Sequence, residues 1–299
     1  MATPERAARY GRAITLIIVA VSVFAVVDTI AKLLLREAYP VLQVVWARYT
    51  FQVVAMLVLL GPRLGWRGLV ATKHPGAHVV RGVVLTASSL LFFSALAHIT
   101  LAAAASIAFL APILVTAAAA IFLHERVRPA TWFALAAGLG GVVLIVRPGS
   151  SVFTWWALLP LGSACCFASY QLLTRRLAGR DSAYTALFFP GVIGMIVMTP
   201  FAAATAMIPD SALHALGFVA VGVLGGVGHY ILIKAFERAP ASTLAPFSYT
   251  QIASVLVLGW FVFGEFPDAL ALAGTGVIVL SGLFLAWRQR RPGPPLRGT

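Results

Sequence analysis

Runs of about 20 apolar residues recur along the whole chain, and each is long enough to cross the hydrocarbon core of a bilayer as a helix. Nothing in a bilayer core replaces water as a partner for backbone N–H and C=O groups. A run of this kind must therefore satisfy its hydrogen bonds within itself, and the α-helix does so. The chain has 299 residues, 61% of them hydrophobic and only 10% charged, with a mean hydropathy of +0.95. A soluble domain of that make-up would lack the polar residues to cover its surface. The reading is an all-α integral membrane protein in contact with the lipid bilayer.

Ten spans are expected, at roughly 13–35, 41–61, 79–98, 101–123, 130–147, 154–174, 183–207, 214–236, 241–264 and 269–287. Their connections are short and carry helix breakers, among them Pro40, Gly61-Pro62, Pro75-Gly76, Pro129, Pro148-Gly149, Pro209 and Pro267. The turns near Thr100 and Pro240 are so tight that the helices on either side must be antiparallel neighbours. With the N-terminus inside, 17 of the 22 Lys and Arg fall in cytoplasmic segments, and outside only Arg36 and Arg147 remain. Both termini are then cytoplasmic. Arg6, Arg9 and Arg12 precede a first run that is too long for a signal peptide and shows no clear cleavage site, so it is expected to be retained.

The net charge of +13 does not point to nucleic acid, because the cations sit in the gaps between apolar runs without aromatic interleaving. Cys165 and Cys166 are adjacent within an apolar run and make neither a disulfide framework nor a metal site. The glycine clusters follow no strand and no GxxxxGK[ST] occurs, which excludes that mode of nucleotide binding. The pair His124-Glu125 lacks the second His of a zinc motif.

Two stretches echo each other at an offset of 140. Ala95–Glu125 and Ala235–Glu265 share an order of turn, apolar run, aromatic and terminal Glu, with Ala105 on Ala245 and Phe109 on Tyr249. A looser echo at 143 sets Phe24-Ala25 on Phe167-Ala168, Asp28 on Gln171 and Lys32 on Arg175. The halves are 1–148 and 149–299, the second carrying a basic C-terminal tail. Each holds five spans, an odd number, so the second enters the membrane upside down. Ten transmembrane helices as two inverted five-helix repeats place a substrate site near the midplane where the repeats meet.

The pattern Ala104-Ala105-Ser106 … Pro112 … Phe122-Leu123-His124-Glu125-Arg126 and its partner Ala245-Pro246 … Phe263-Gly264-Glu265 resemble the drug/metabolite transporter superfamily, specifically its EamA-type members. Arg48 within Trp46-Ala47-Arg48-Tyr49 and the glycines of Gly138-Leu139-Gly140-Gly141 and Gly274-Thr275-Gly276 fit the same family. The resemblance implies a bacterial inner-membrane transporter without a cofactor, not an enzyme, and is nearest to exporters of aromatic amino acids. It also implies that the first four helices of each half line a central cavity, with the fifth and tenth peripheral.

Polar groups inside spans are costly and mark candidate sites. Asp28 has Lys32 one helical turn on; the two either neutralise each other or leave Asp28 to couple transport or meet a substrate ammonium. Arg48 is placed to take a carboxylate, to snorkel outward or to pair with Glu37. His229, beside Tyr230 and Lys234 and after a run of glycines, is a donor to substrate or to a neighbouring helix. Ser242, Pro246, Tyr249 and Ala253 lie on one face of the ninth span, with Thr243, Thr250 and Gln251 nearby, and face the mates Ala102, Ser106, Phe109 and Ile113. Tyr249 and Phe109 would be aromatic walls, and Pro246 and Pro112 would free carbonyls. Tyr170 and Gln171 on the sixth span follow by the same logic. Glu125 and Glu265 are read as helix-end residues that help related spans pack. Two rivals remain, an exporter of cationic drugs or other metabolites and a channel or scaffold. The oligomeric state is left open.

Overall fold

The computed structural model describes residues 4–115, 129–149, 153–177, 180–238, 244 and 247–290. Among these are ten α-helices: α1 (Pro4–Arg36), α2 (Val41–Val70), α3 (Pro75–Leu96), α4 (Leu101–Ala108), α5 (Pro129–Val146), α6 (Leu159–Leu177), α7 (Ala183–Thr205), α8 (Ala212–Phe236), α9 (Thr250–Phe263) and α10 (Ala269–Arg290). A 3₁₀ turn at Trp155–Leu158 leads into α6. Six of the helices are long and apolar enough to cross a membrane, and four shorter apolar ones accompany them. Large side chains such as Val58, Leu59, Ile196, Phe261 and Leu280 stand more than half exposed. In water they would be a liability; in a multi-pass membrane protein this is the surface that meets lipid.

Local chemistry sets the helix ends. The hydroxyls of Thr100, Ser182 and Ser211 accept from the backbone N–H three residues on, at Ala103, Thr185 and His214. Asp268 does the same for Ala271 at 2.9 Å. That backbone hydrogen bond, and then the Arg147 guanidinium from the end of α5, hold the Asp268 carboxyl below the usual carboxylate range. The break expected at Gly61-Pro62 lies further on. The helix continues through Pro62 and turns at Gly65, whose φ of 65° and ψ of 170° suit only glycine. In the fourth span α4 gives way to a turn at Phe109 and Leu110 before helix resumes, with Leu110 N–H bonding Ile107 O and Ile113 N–H bonding Leu110 O. Pro112 has no N–H to give to the preceding turn, which accounts for the tightening. Glu125, Ser242, Thr243 and Pro246 lie outside the described residues.

The helices pack mainly across the two sets of five. α1 lies on α8 and α9, α2 on α7 and α8, α3 on α6 and α7, α4 on α9 and α6, and α5 on α10. Adding or subtracting five from each number maps this set onto itself: α1 with α8 becomes α6 with α3, and α2 with α8 becomes α7 with α3. The connections obey the same exchange. Tyr39, between α1 and α2, receives a hydrogen bond from Asp210 N–H at 2.8 Å and lies 3.0 Å from His214 Nδ1, joining it to the α7–α8 connection. Thr72, between α2 and α3, donates to Asp181 in the α6–α7 connection at 2.9 Å. The helices expected to be peripheral, α5 and α10, pack on each other with the backbones of Gly141 and Gly274 in contact.

Candidate functional site

A polar and aromatic cluster lies where α1, α2, α3, α6 and α8 meet. Arg48 reaches from α2 to His229 on α8, with its Nη2 3.2 Å from Nε2. A guanidinium can only donate, so Nε2 accepts and the His229 ring is neutral with its proton on Nδ1. The same guanidinium sits 5.6 Å from the Phe93 ring centre and 5.9 Å from that of Tyr49. Phe24 from α1 flanks His229 at 4.9 Å, and Tyr170 from α6 meets it edge-on at 6.3 Å. Gly228 makes room for this arrangement, since a Cβ there would come within 2.6 Å of the Phe24 ring. Arg48 and His229 are thus brought together; the outward snorkel and the Glu37 pair are not what the structure shows.

Arg81 is one of the 17 Lys and Arg assigned to cytoplasmic segments, and the structure buries it fully on α3. Its Nε donates to Thr174 at 3.1 Å and its Nη1 to His78 Nδ1 at 3.0 Å, while the guanidinium carbon lies 5.1 Å from the Tyr170 ring centre. Because Nδ1 of His78 accepts, its Nε2 carries the proton and donates to Asp181 at 2.8 Å. Burial acts to raise the Asp181 carboxyl, but the hydrogen bonds from His78 and Thr72 outweigh it and hold the group below the usual range. The available signal was the spacing of His78 and Arg81, three apart and so on one helix face at the start of an apolar span. Phe24 carried a signal too, since its echo Phe167 stacks 5.9 Å from Tyr170 at the same cluster.

Asp28 does not pair with Lys32. Its carboxylate takes a long hydrogen bond of 3.5 Å from Gln251 on α9. Lys32 turns instead to Glu265 at 2.8 Å and to the Ile99 carbonyl at 2.8 Å. Glu265 also receives Arg36 and the Leu101 N–H, so one carboxylate ties α1, the α3–α4 turn and the end of α9 together. The helix turn between Asp28 and Lys32 allows the local pair, but Glu265 offers Lys32 a closer anion already placed at the helix end.

Tyr249 and Phe109 do face each other, at 5.5 Å between ring centres. The Tyr249 hydroxyl, however, is buried against Gly282 of α10 and has no hydrogen-bond partner among the described residues. It points between α9 and α10 rather than toward Arg48 and His229. Ser106 accepts from Thr275 of α10 at 2.9 Å, a buried contact that joins two helices. Gln171 is half-buried on α6 and joins none of these contacts. Tyr249→Phe removes a buried, unpaired hydroxyl and should leave the protein as stable or more stable by about 1 kcal/mol. A thermal melt in detergent checks this, and a clear loss of stability would mean the hydroxyl has a partner.

Comparison with known proteins gives a consistent picture. The model of the EamA-like transporter family matches residues 11–147 and again 154–287. A riboflavin transporter of Vibrio cholerae serotype O1 is 27% identical over 275 residues, 90% of this chain and 91% of the relative. An S-adenosylmethionine uptake transporter of Rickettsia conorii is 26% identical over 220 residues, 74% of each chain. A pseudopaline exporter of Pseudomonas aeruginosa is 31% identical over 209 residues, 70% of this chain and 74% of the relative. A solved crystal structure superposes with a TM-score of 0.65 over 97% of this chain and 100% of its own, at 20% identity, a likeness of fold.

Proposed function

Because the chain belongs to the EamA-like transporter family, we propose that it is a secondary transporter that carries a small ring-bearing metabolite, aromatic amino acids first among them, out of the cytoplasm by alternating access. It is a transporter and not an enzyme. The observation that carries the substrate reading is the cluster of Phe24, Arg48, Tyr170 and His229, where ring faces surround a cation and a neutral imidazole. Such a setting suits a planar ring bearing polar groups.

Two family matches of similar length, and a packing pattern unchanged when five is added to or subtracted from each helix number, support ten spans in two inverted repeats. The Lys and Arg distribution supports cytoplasmic termini, and the bacterial relatives support the inner membrane. Rocking of the two halves about their shared surface would expose the cluster to each side in turn. A second reading takes riboflavin as substrate, supported by the riboflavin transporters that match over 90% of this chain.

Proteoliposomes preloaded with unlabelled Trp or Phe should accumulate the labelled amino acid by saturable, protein-dependent counterflow. Exchange of riboflavin alone would select the second reading, and exchange of none of these compounds would defeat both.

A further inference from the structure

The cluster holds two guanidinium groups, those of Arg48 and Arg81, linked through a line of contacts Arg48, His229, Tyr170, Arg81. Among the described residues neither makes an ion pair with a carboxylate. Arg81 is fully buried, and its hydrogen bonds go to the neutral groups of Thr174, His78 and, at 3.5 Å, the Tyr170 hydroxyl. The anion on its side, Asp181, is one imidazole ring away and is shared with Thr72. Among the described residues Arg48 has His229 as its hydrogen-bond partner and lies near two ring faces, its Nε is buried without a partner, and the carboxylate that acts on it, Asp28, makes no ion pair with it.

A guanidinium withheld from water needs an anion or a full set of hydrogen bonds, and its separation from both is costly. The charges that act on the His229 ring are those of Arg48 and Arg81, both positive. One acid faces the cluster from α1, Asp28, which is held by Gln251 and acted on by Arg48. The other acid of that helix end, Glu265, is already taken by Lys32 and Arg36.

Building on the reading of the chain as a carrier of ring-bearing metabolites, we infer that the transported class is ring-bearing acids, with the carboxylate bound in the field of Arg48 and Arg81 and the ring against Phe24 and Tyr170. A planar carboxylate matches the guanidinium fork and supplies the missing negative charge. A zwitterion is accepted as well, because Asp28 stands ready for its ammonium group. An amine without a carboxylate brings a third positive charge to the cluster. A neutral ring compound leaves the two cations as they are.

Counterflow into proteoliposomes of the full chain tests this with four probes: tryptophan, indole-3-propionate, tryptamine and riboflavin. Tryptophan and indole-3-propionate should exchange saturably, with tryptamine and riboflavin slower by about tenfold or more. Tryptamine or riboflavin exchanging as fast as indole-3-propionate would overturn the acid class while leaving the carrier reading intact. Saturable exchange of none of the four would overturn the carrier reading and this inference with it.

Arg48→Gln and Arg81→Gln should each lower indole-3-propionate exchange by about tenfold or more, and Arg48→Lys should retain more activity than Arg48→Gln. Folded glutamine variants that exchange at the wild-type rate would also overturn the assignment. If a variant fails to fold, the four-probe comparison on the unaltered protein still decides the matter.

Discussion

Glu265→Gln should be among the most destabilising single changes in this protein. Lys32 keeps only 4% of its side-chain surface exposed, and its ion pair with Glu265 spans 2.8 Å. Removing the carboxylate leaves the ammonium buried with the Ile99 carbonyl and an uncharged amide for company, with one amide oxygen where two carboxylate oxygens had served Lys32, Arg36 and the Leu101 N–H. Breaking a buried pair from one side costs about 3–5 kcal/mol, because the surviving charge is uncompensated. Glu265 is itself partly exposed, at 18%, so water offsets some of this and about 3 kcal/mol is expected.

The double variant Lys32→Met with Glu265→Leu removes both charges together and should recover most of the loss, as apolar replacements of buried pairs do. Thermal melts of the two variants in the same detergent check the difference. Equal losses for the single and double changes would show that the clasp acts through Arg36 and Leu101 rather than through Lys32.

Gly274→Leu should separate α5 from α10. A Cβ at Gly274 would lie 2.6 Å from the Gly141 carbonyl oxygen, and one at Gly141 would lie 2.7 Å from that of Gly274. These are backbone atoms and cannot swing aside. Within a bilayer the association of helices rests on close van der Waals contact, so small residues at such a seam carry the packing. Forcing the helices apart costs about 1–3 kcal/mol for the added bulk, and leucine should reach the upper end. Gly276→Ala is the control, since nothing lies within 4 Å of its Cβ position and the substitution favours the helix. A melting temperature lowered by Gly274→Leu and unchanged or raised by Gly276→Ala is the expected pair of results. A Gly274→Leu protein as stable as the parent would mean that α5 and α10 do not meet at this seam.

The helices were legible in the residues because each depends on its own stretch of chain. An apolar run of membrane length satisfies its backbone hydrogen bonds locally, so six of the runs read from composition return as helices long enough to cross a membrane and others as shorter apolar helices among the described residues. Even the misplaced break in α2 was a local matter, decided by which residue, Gly65 or Pro62, leaves the helical backbone. The aromatic echo of Phe24 and Phe167 likewise marked two positions that end up at one cluster.

What the chain alone could not decide is which side chain meets which. Lys32 chose a partner 233 positions away over the acid one turn back, because helix packing delivers Glu265 to its ammonium. Arg81 counted only as one cation of a cytoplasmic segment until α6 and the Asp181 connection closed over it. The Tyr249 hydroxyl read as a site group until Gly282 of α10 took the space in front of it. Helix identity is set by hydrophobic length and local hydrogen bonds, whereas the pairing of polar groups depends on rotation and crossing of packed helices, and these exist only in the assembled fold.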